Sequence, residues 1–129
     1  MNFNSRKLFT PMSAKQTLPL VKKIVSDILD LSHEIHTMIT ILGDEAEGHP
    51  QVESLVEKLQ GYFAELENMG CYYKDWSFSI GLVDFPAEID GKVVFLCWRS
   101  DEEDIQYYHE IEAGYAGRTL IPEKYFKNE

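Results

Sequence analysis

The chain has 129 residues, of which 44% are hydrophobic and 12% aromatic, and it carries a formal net charge of −10 at pH 7. This length and composition are typical of one globular domain, which argues against an intrinsically disordered chain and against a disulfide-stapled miniprotein. The acidic balance opposes binding to a phosphate backbone, so no nucleic-acid partner is predicted.

Targeting signals and metal-binding cysteine motifs are not recognisable in the sequence. The first twenty residues contain no apolar signal-peptide core, and no run approaches the ~18 apolar residues of a membrane span. Cys71 and Cys97 match no zinc or redox spacing. We expect a cytoplasmic protein with two reduced, partly buried thiols, no membrane contact and no cofactor or metal. The spacing alone leaves a disulfide open.

A long first helix is predicted to begin at Thr10-Pro11, because a hydroxyl N-cap followed by proline is a typical helix start. Pro19 removes one helical hydrogen bond, which predicts a kink or a break into two helices. Gly43 offers a C-terminal cap. Apolar residues then recur every three or four positions on one face of the helix. They are Val21, Ile24, Ile28, Leu31, Ile35, Met38 and Leu42.

A second helix is predicted after the polar loop 43–49, beginning at Pro50 and ending at Gly70. It repeats the same apolar spacing, and the short loop favours an antiparallel helical hairpin over about 11–69. Its apolar positions are Val52, Leu55, Leu59, Tyr62, Leu66 and Met69.

The second half of the chain alternates with the period of β-strands. Both faces of segment 92–98 are apolar, which predicts a central strand covered on both sides. Asp90-Gly91 is a strong two-residue hairpin signal, because both central residues of a type I′ turn need a positive φ. The turn predicts three cross-strand pairs: Val83 with Trp98, Phe85 with Leu96, and Asp84 with Cys97.

A further strand is predicted over 105–111, after a four-residue loop at 100–103. This loop would set Ile105 against Trp98 and Tyr107 against Leu96, and His109 would then face the inner side of the sheet. Residues 100–103 also match a capping box, which predicts an alternative helix from Ser100 as far as Gly114. We favour the strand because its alternation is more regular.

These elements predict an α+β fold in one domain, residues 1–129. A long antiparallel helical hairpin, about 11–69, packs on a small antiparallel sheet of three or four strands within about 71–121.

Six segments of the sequence form a recognisable set: LFT (8–10), LPLV (18–21), GLVDFPA (81–87), LCWR (96–99), YYHE (107–110) and AGYAGR (113–118). Together they resemble a bacterial family catalogued only as a domain of unknown function. In that family we expect Trp at the position of Tyr108 and a Gly-Glu-Pro-like turn in place of Asp101-Glu102-Glu103. The resemblance implies a compact intracellular α+β domain and transfers no catalytic role.

Asp84 and His109 are the candidate catalytic residues. His109 has the chemistry of a general base or metal ligand with Asp84 as partner, although a buried, hydrogen-bonded imidazole is the simpler interpretation. Asp84 interrupts an apolar run and needs a partner if buried, for which Arg99 and Arg118 are candidates. A more specific hypothesis is a polar pocket whose floor is formed by Asp84, Arg99 and Tyr108. Arg99, Tyr108 and Arg118 are the candidate ligand-binding residues.

Three other patterns are weaker. His33 and His36 lack the spacing of a helical zinc motif and a third ligand. The acidic run 101–104 lacks the spacing of a calcium loop and is interpreted as a solvated turn. Segment 114–118 resembles an anion-binding nest beside an arginine, but a glycine-permitted bend is the simpler interpretation.

For function, our leading hypothesis is a non-catalytic structural or interaction protein that forms a homodimer through its helices. Apolar residues beside the helical seam motivate it, since one hairpin cannot cover them all. The alternative is a small-ligand-binding or metal-dependent enzyme with a site around Asp84, Arg99, His109 and Arg118. The flanking apolar residues are Leu18, Val25, Leu29, Ile39, Val56 and Phe63.

Overall fold

The computed structural model of the protein describes residues 8–127, which form two long helices followed by an antiparallel sheet. This confirms the α+β class, but the sheet has five strands because two-residue strands extend both of its edges. No helix in the described range has the length and apolarity needed to cross a membrane. The elements are α1 (Pro11–Leu42), α2 (Pro50–Met69), β1 (Tyr72–Tyr73), β2 (Leu82–Ile89), β3 (Lys92–Arg99), β4 (Tyr107–His109) and β5 (Thr119–Leu120), and the strands lie side by side in chain order.

The start of α1 is fixed by a capping box between Thr10 and Ser13. The Ser13 N–H donates to Thr10 Oγ1 at 3.0 Å, and the Thr10 N–H donates to Ser13 Oγ at 2.9 Å. The predicted break at Pro19 does not occur, and α1 is one helix. Pro19 lies on the exposed side, where water can bond the carbonyl it leaves free, while Leu18 and Val21 beside it are buried.

The connection between the helices is more regular than the polar loop predicted from sequence. Residues Gly43–Ala46 form a 3₁₀ turn, and Gly43 has a φ of 58°. Gly70 ends α2 with a φ of 93°, in the left-handed conformation that glycine adopts at no steric cost. The helices pack on each other as a hairpin, with Val52 and Leu66 buried on α2.

The β2–β3 hairpin has the predicted turn and register. Asp90 and Gly91 have φ values of 55° and 78°, as a type I′ turn requires. Val83 pairs with Trp98, Asp84 with Cys97, and Phe85 with Leu96, so all three predicted pairs are confirmed.

The register of β4 differs from the prediction by one residue. Leu96 pairs with Tyr108 instead of Tyr107, which lies opposite Cys97. Because side chains alternate between the faces of a strand, this offset moves His109 from the inner face of the sheet to the outer face. Regular strand structure is also limited to Tyr107–His109, and Ile105 lies before it in the connecting loop.

Hydrogen bonds to Glu102 explain the offset. The Trp98 indole N–H donates to the Glu102 carbonyl oxygen at 2.9 Å, and the Arg99 N–H donates to Glu102 Oε1 at 2.8 Å. These bonds hold residues 100–106 as an irregular loop, longer than the four residues predicted. The alternative helix from Ser100 to Gly114 is therefore wrong.

The two faces of the sheet have different covers. On the inner face, α1 packs against β2 and β3 in one core cluster. On the outer face, segment 110–118 lies over Asp84, Cys97 and His109. The largest fully buried side chains of the inner core include Trp98, Phe9, Phe85, Ile28, Leu66 and Leu96.

Replacing Trp98 with alanine tests the inner core. The side chain is 2% exposed, so Trp98→Ala should lower the free energy of unfolding by about 3–5 kcal/mol in urea denaturation. Trp76→Ala is the matched control, because Trp76 is 62% exposed and its loss should cost much less. Equal costs for the two variants would contradict the described packing of β3.

Candidate functional site

Asp84, Cys97 and His109 converge on the outer face of the sheet. Asp84 and Cys97 are cross-strand partners, and the register of β4 brings His109 to the same face. One ligand atom from each residue lies within 4.8 Å of the other two. Asp84 and His109 are each 4% exposed and Cys97 is fully buried, so the group is shielded from solvent.

The imidazole of His109 is oriented by two contacts. Its Nδ1 lies 2.7 Å from the Glu110 carbonyl oxygen, which can only accept a hydrogen bond, so Nδ1 carries a proton. Its Nε2 lies 3.3 Å from Asp84 Oδ1. The hydrogen bond to Asp84 raises the pKa of His109 above its usual value, although desolvation acts in the opposite direction.

The thiol of Cys97 is not an activated nucleophile by itself. Burial, reinforced by the negative charge of Asp84, raises the pKa of Cys97 to about 12. Reactive cysteines have lowered pKa values in electropositive surroundings, so this environment does not favour thiolate catalysis of the Cys–His type. Cys97 and Cys71 are both buried and form no disulfide in the structure.

A cavity of about 290 Å³ opens beside these three residues. Its polar lining combines their side chains with Lys74 and Tyr115, whereas the remaining side chains are mainly apolar. The Lys74 ammonium lies 5.6 Å from the centre of the Phe95 ring. The lining residues are Lys74, Leu82, Asp84, Phe95, Cys97, His109, Ile111, Gly114 and Tyr115.

Arg118 supports the site without lining the cavity. Its guanidinium donates to the Cys97 carbonyl oxygen at 3.0 Å and to Glu102 Oε1 at 2.7 Å. The same group stacks over the rings of Tyr107 and Tyr115, at 4.1 and 4.9 Å from their centres. Arg118 therefore ties segment 110–118 to β3 and to the loop at Glu102.

Arg99 does not form the predicted pair with Asp84. Its guanidinium binds the Asp101 carboxylate and donates to the Tyr115 phenolic oxygen. Asp84 instead contacts His109, because the one-residue offset of β4 places the imidazole on the same face of the sheet as Asp84. Tyr108 lies on the inner face and packs against the core, so a pocket floored by Asp84, Arg99 and Tyr108 does not form.

Cys97 is the site residue that the sequence analysis left out. The predicted hairpin register already placed it opposite Asp84, which was a usable signal. The predicted register of β4 was wrong by one residue. It placed His109 on the opposite face of the sheet, so the three-residue cluster could not be recognised from the sequence. The candidate roles of Asp84 and His109 remain predictions, as do those of Arg99, Tyr108 and Arg118.

The weaker patterns show no comparable convergence. His33 and His36 are exposed on α1. In the acidic run 101–104, Asp101 pairs with Arg99 and Glu102 pairs with Arg118. Gly114 has a φ of 66° and precedes a 3₁₀ turn over Tyr115–Gly117, as expected for a glycine-permitted bend. Within residues 8–127, the Asp84–Cys97–His109 cluster is the one group of three such side chains with metal-ligand proximity.

Comparison with known proteins places the chain in a family. The family described as an uncharacterized conserved protein, DUF2203, matches residues 7–121. The chain belongs to the DUF2203 family. This confirms the resemblance recognised in the sequence. The searches of curated proteins and of solved structures found no match.

The DUF2203 match contains the whole site. Asp84, Cys97 and His109 lie within it, as do the supporting residues Glu102 and Arg118. The family description names no reaction.

Replacing Arg118 tests its support of the site. Its side chain and that of Glu102 are each 12% exposed, and removing one member leaves the other charge poorly compensated. Arg118→Ala should lower the free energy of unfolding by about 2–3 kcal/mol in urea denaturation. Lys92→Ala is the control, since its pair with Glu110 is exposed, and the denaturation midpoint should stay unchanged. Similar midpoints for the two variants would show that Arg118 is dispensable.

Proposed function

We propose that Asp84, Cys97 and His109 bind one divalent transition-metal ion, with zinc as the first candidate. In this proposal the protein is metal-dependent and acts on a small molecule bound in the adjoining cavity. The observation that carries the proposal is the convergence of a carboxylate, a thiol and an imidazole on one buried point beside that cavity.

The ligand types favour zinc or a similar metal over calcium or magnesium. A cysteine thiolate and a histidine nitrogen are ligands of zinc and of the later first-row transition metals, whereas calcium and magnesium prefer oxygen alone. A metal also resolves the cost of burying these groups, because its positive charge compensates the Asp84 carboxylate and the Cys97 thiolate.

The orientation of His109 suits a metal ligand. Metal-bound histidines usually donate their second N–H to a carbonyl or carboxylate, which fixes the tautomer and directs the other nitrogen to the metal. Here the bond from Nδ1 to the Glu110 carbonyl directs Nε2 toward Asp84 and Cys97.

The distances fit a tetrahedral ion after a small contraction. Bonds of ~2.0–2.3 Å to a tetrahedral zinc imply ligand separations of ~3.3–3.8 Å. The 3.3 Å between His109 Nε2 and Asp84 Oδ1 already meets this range. All three ligand atoms lie within 4.8 Å, so shifts of about 1 Å complete the set.

Three protein ligands leave one position of a tetrahedral ion open. Catalytic zinc sites have this arrangement, whereas structural zinc sites usually have four protein ligands. All three residues border the cavity, so the open fourth position faces it. At that position zinc lowers the pKa of a bound water and polarises a carbonyl or phosphoryl group.

Titration with Co²⁺ and Zn²⁺ tests the proposal. The purified chain, stripped of metal with a chelator and dialysed, should bind one Co²⁺ and develop a thiolate-to-cobalt charge-transfer band. Zn²⁺ should abolish the band and raise the melting temperature. Cys97→Ala should lose the band, and Asp84→Asn should weaken binding by at least roughly 100-fold.

Two substitutions outside the cluster serve as controls. Cys71→Ala removes the other buried thiol, and His36→Gln removes an exposed histidine of α1. Both should bind Co²⁺ as the parent chain does. Absence of binding by the folded parent, or equal loss of the band in Cys71→Ala and Cys97→Ala, would overturn the proposal. Circular dichroism establishes that each variant is folded.

Homodimerisation through the helices is a second proposal, and it is compatible with the first. Three large apolar side chains of α1 support it, since Leu20 is 56% exposed, Ile39 44% and Ile41 76%. Two of the flanking apolar residues, Leu18 and Val25, are buried within the chain and are not available to a second copy. The acidic residues around the end of the hairpin also oppose association of two copies.

Light scattering at micromolar concentration tests the homodimer. A dimer has about twice the mass of the 14.9 kDa chain. Ile41→Glu should return the protein to monomers, whereas Leu120→Glu, at an exposed position on β5, should not. A mass near that of one chain for the parent protein would contradict the homodimer.

A further inference from the structure

Lys74 places a cation at the cavity beside the Asp84–Cys97–His109 cluster. It follows β1, and its backbone N–H donates to the Leu82 carbonyl oxygen at 2.7 Å, which fixes the position from which the side chain extends. The ammonium contacts the face of the Phe95 ring. Among the ion pairs of residues 8–127 none involves Lys74, so its charge is available to a ligand.

The charges around the cavity favour an anion once a metal is bound. A divalent ion is neutralised by the Asp84 carboxylate and the Cys97 thiolate, and metal-bound His109 is neutral. Lys74 then leaves a net charge of about +1 on the lining. The charged groups behind the lining form internal pairs, Arg99 with Asp101 and Arg118 with Glu102.

Tyr115 supplies a hydrogen-bond donor on the same lining. Arg99 donates to its phenolic oxygen, so the hydroxyl proton of Tyr115 remains free for another acceptor. The apolar side chains of Leu82, Phe95 and Ile111 form much of the remaining wall. Apolar walls limit competition from water and strengthen the attraction between an anion and these groups.

We infer that the cavity binds a small oxyanion, a carboxylate or a phosphate group, with one oxygen at the open metal position and its charge beside Lys74. This inference rests on the proposed metal site and adds the substrate class to it. The volume of about 290 Å³ is just below the ~300–1,000 Å³ typical of small-molecule sites, so the ligand has few heavy atoms.

The visible spectrum of the Co²⁺-loaded protein tests the inference, because ligand-field bands respond to a new oxygen ligand. Acetate, inorganic phosphate and neutral acetamide are titrated separately. Acetate or phosphate should shift the bands at saturation, and acetamide should not. Lys74→Met should weaken the anion response roughly tenfold without weakening Co²⁺ binding, and Lys74→Arg should restore most of the response. Lys58→Met, on α2, is the matched control.

The outcomes separate this inference from the metal proposal. A response to acetate alone identifies a carboxylate ligand, and a response to phosphate alone identifies a phosphate ligand. Co²⁺ binding without any anion response, an equal response to acetamide, or unchanged anion affinity in Lys74→Met would overturn the oxyanion inference and leave the metal site standing. A parent chain that binds no Co²⁺ would overturn both.

Discussion

Burial of both faces of β3 is the constraint on which the rest of the structure depends. Residues Val94–Trp98 are all buried, although alternate side chains point to opposite sides of the sheet. One cover is α1, a long helix whose apolar face supplies the inner core. The second cover is segment 110–118, which has little regular structure and is held by side-chain contacts.

Because α1 covers one face of the sheet and segment 110–118 the other, the two faces enclose different kinds of side chain. An amphipathic helix buries an inner face that is almost entirely apolar, and this packing contributes most of the hydrophobic stabilisation. The outer face is covered by a short segment tied down by Arg118, and polar side chains are enclosed beneath it. Desolvation there explains the raised pKa of Cys97, and the contact with Asp84 explains that of His109. Buried polar groups of this kind cluster at functional sites.

The position of the site on strands gives it a fixed geometry. Asp84 and Cys97 are held by the ladder between β2 and β3, and His109 by the short ladder between β3 and β4. Sites on regular elements hold their side chains more accurately than sites on loops.

Local patterns determined the two helices and the β2–β3 hairpin. Thr10, Gly43 and Gly70 mark helix ends through short-range hydrogen bonds and backbone conformation, and Asp90-Gly91 determines a register through its own φ values. Each signal acts within a few residues, so the sequence carries it completely. Pro19 shows the limit of such signals, because α1 continues through it without the break into two helices that was one of the two predicted outcomes.

Only the tertiary structure decided the register of β4 and therefore the site. The loop before β4 takes its shape from Glu102, whose carboxylate binds Arg118, sixteen residues later in the chain. Such a contact leaves no periodic signal in the sequence. Its consequence is large, since one residue of offset moves every side chain of a strand to the other face. The sequence by itself thus placed Asp84 beside Cys97, and the contact between distant residues brought His109 to join them.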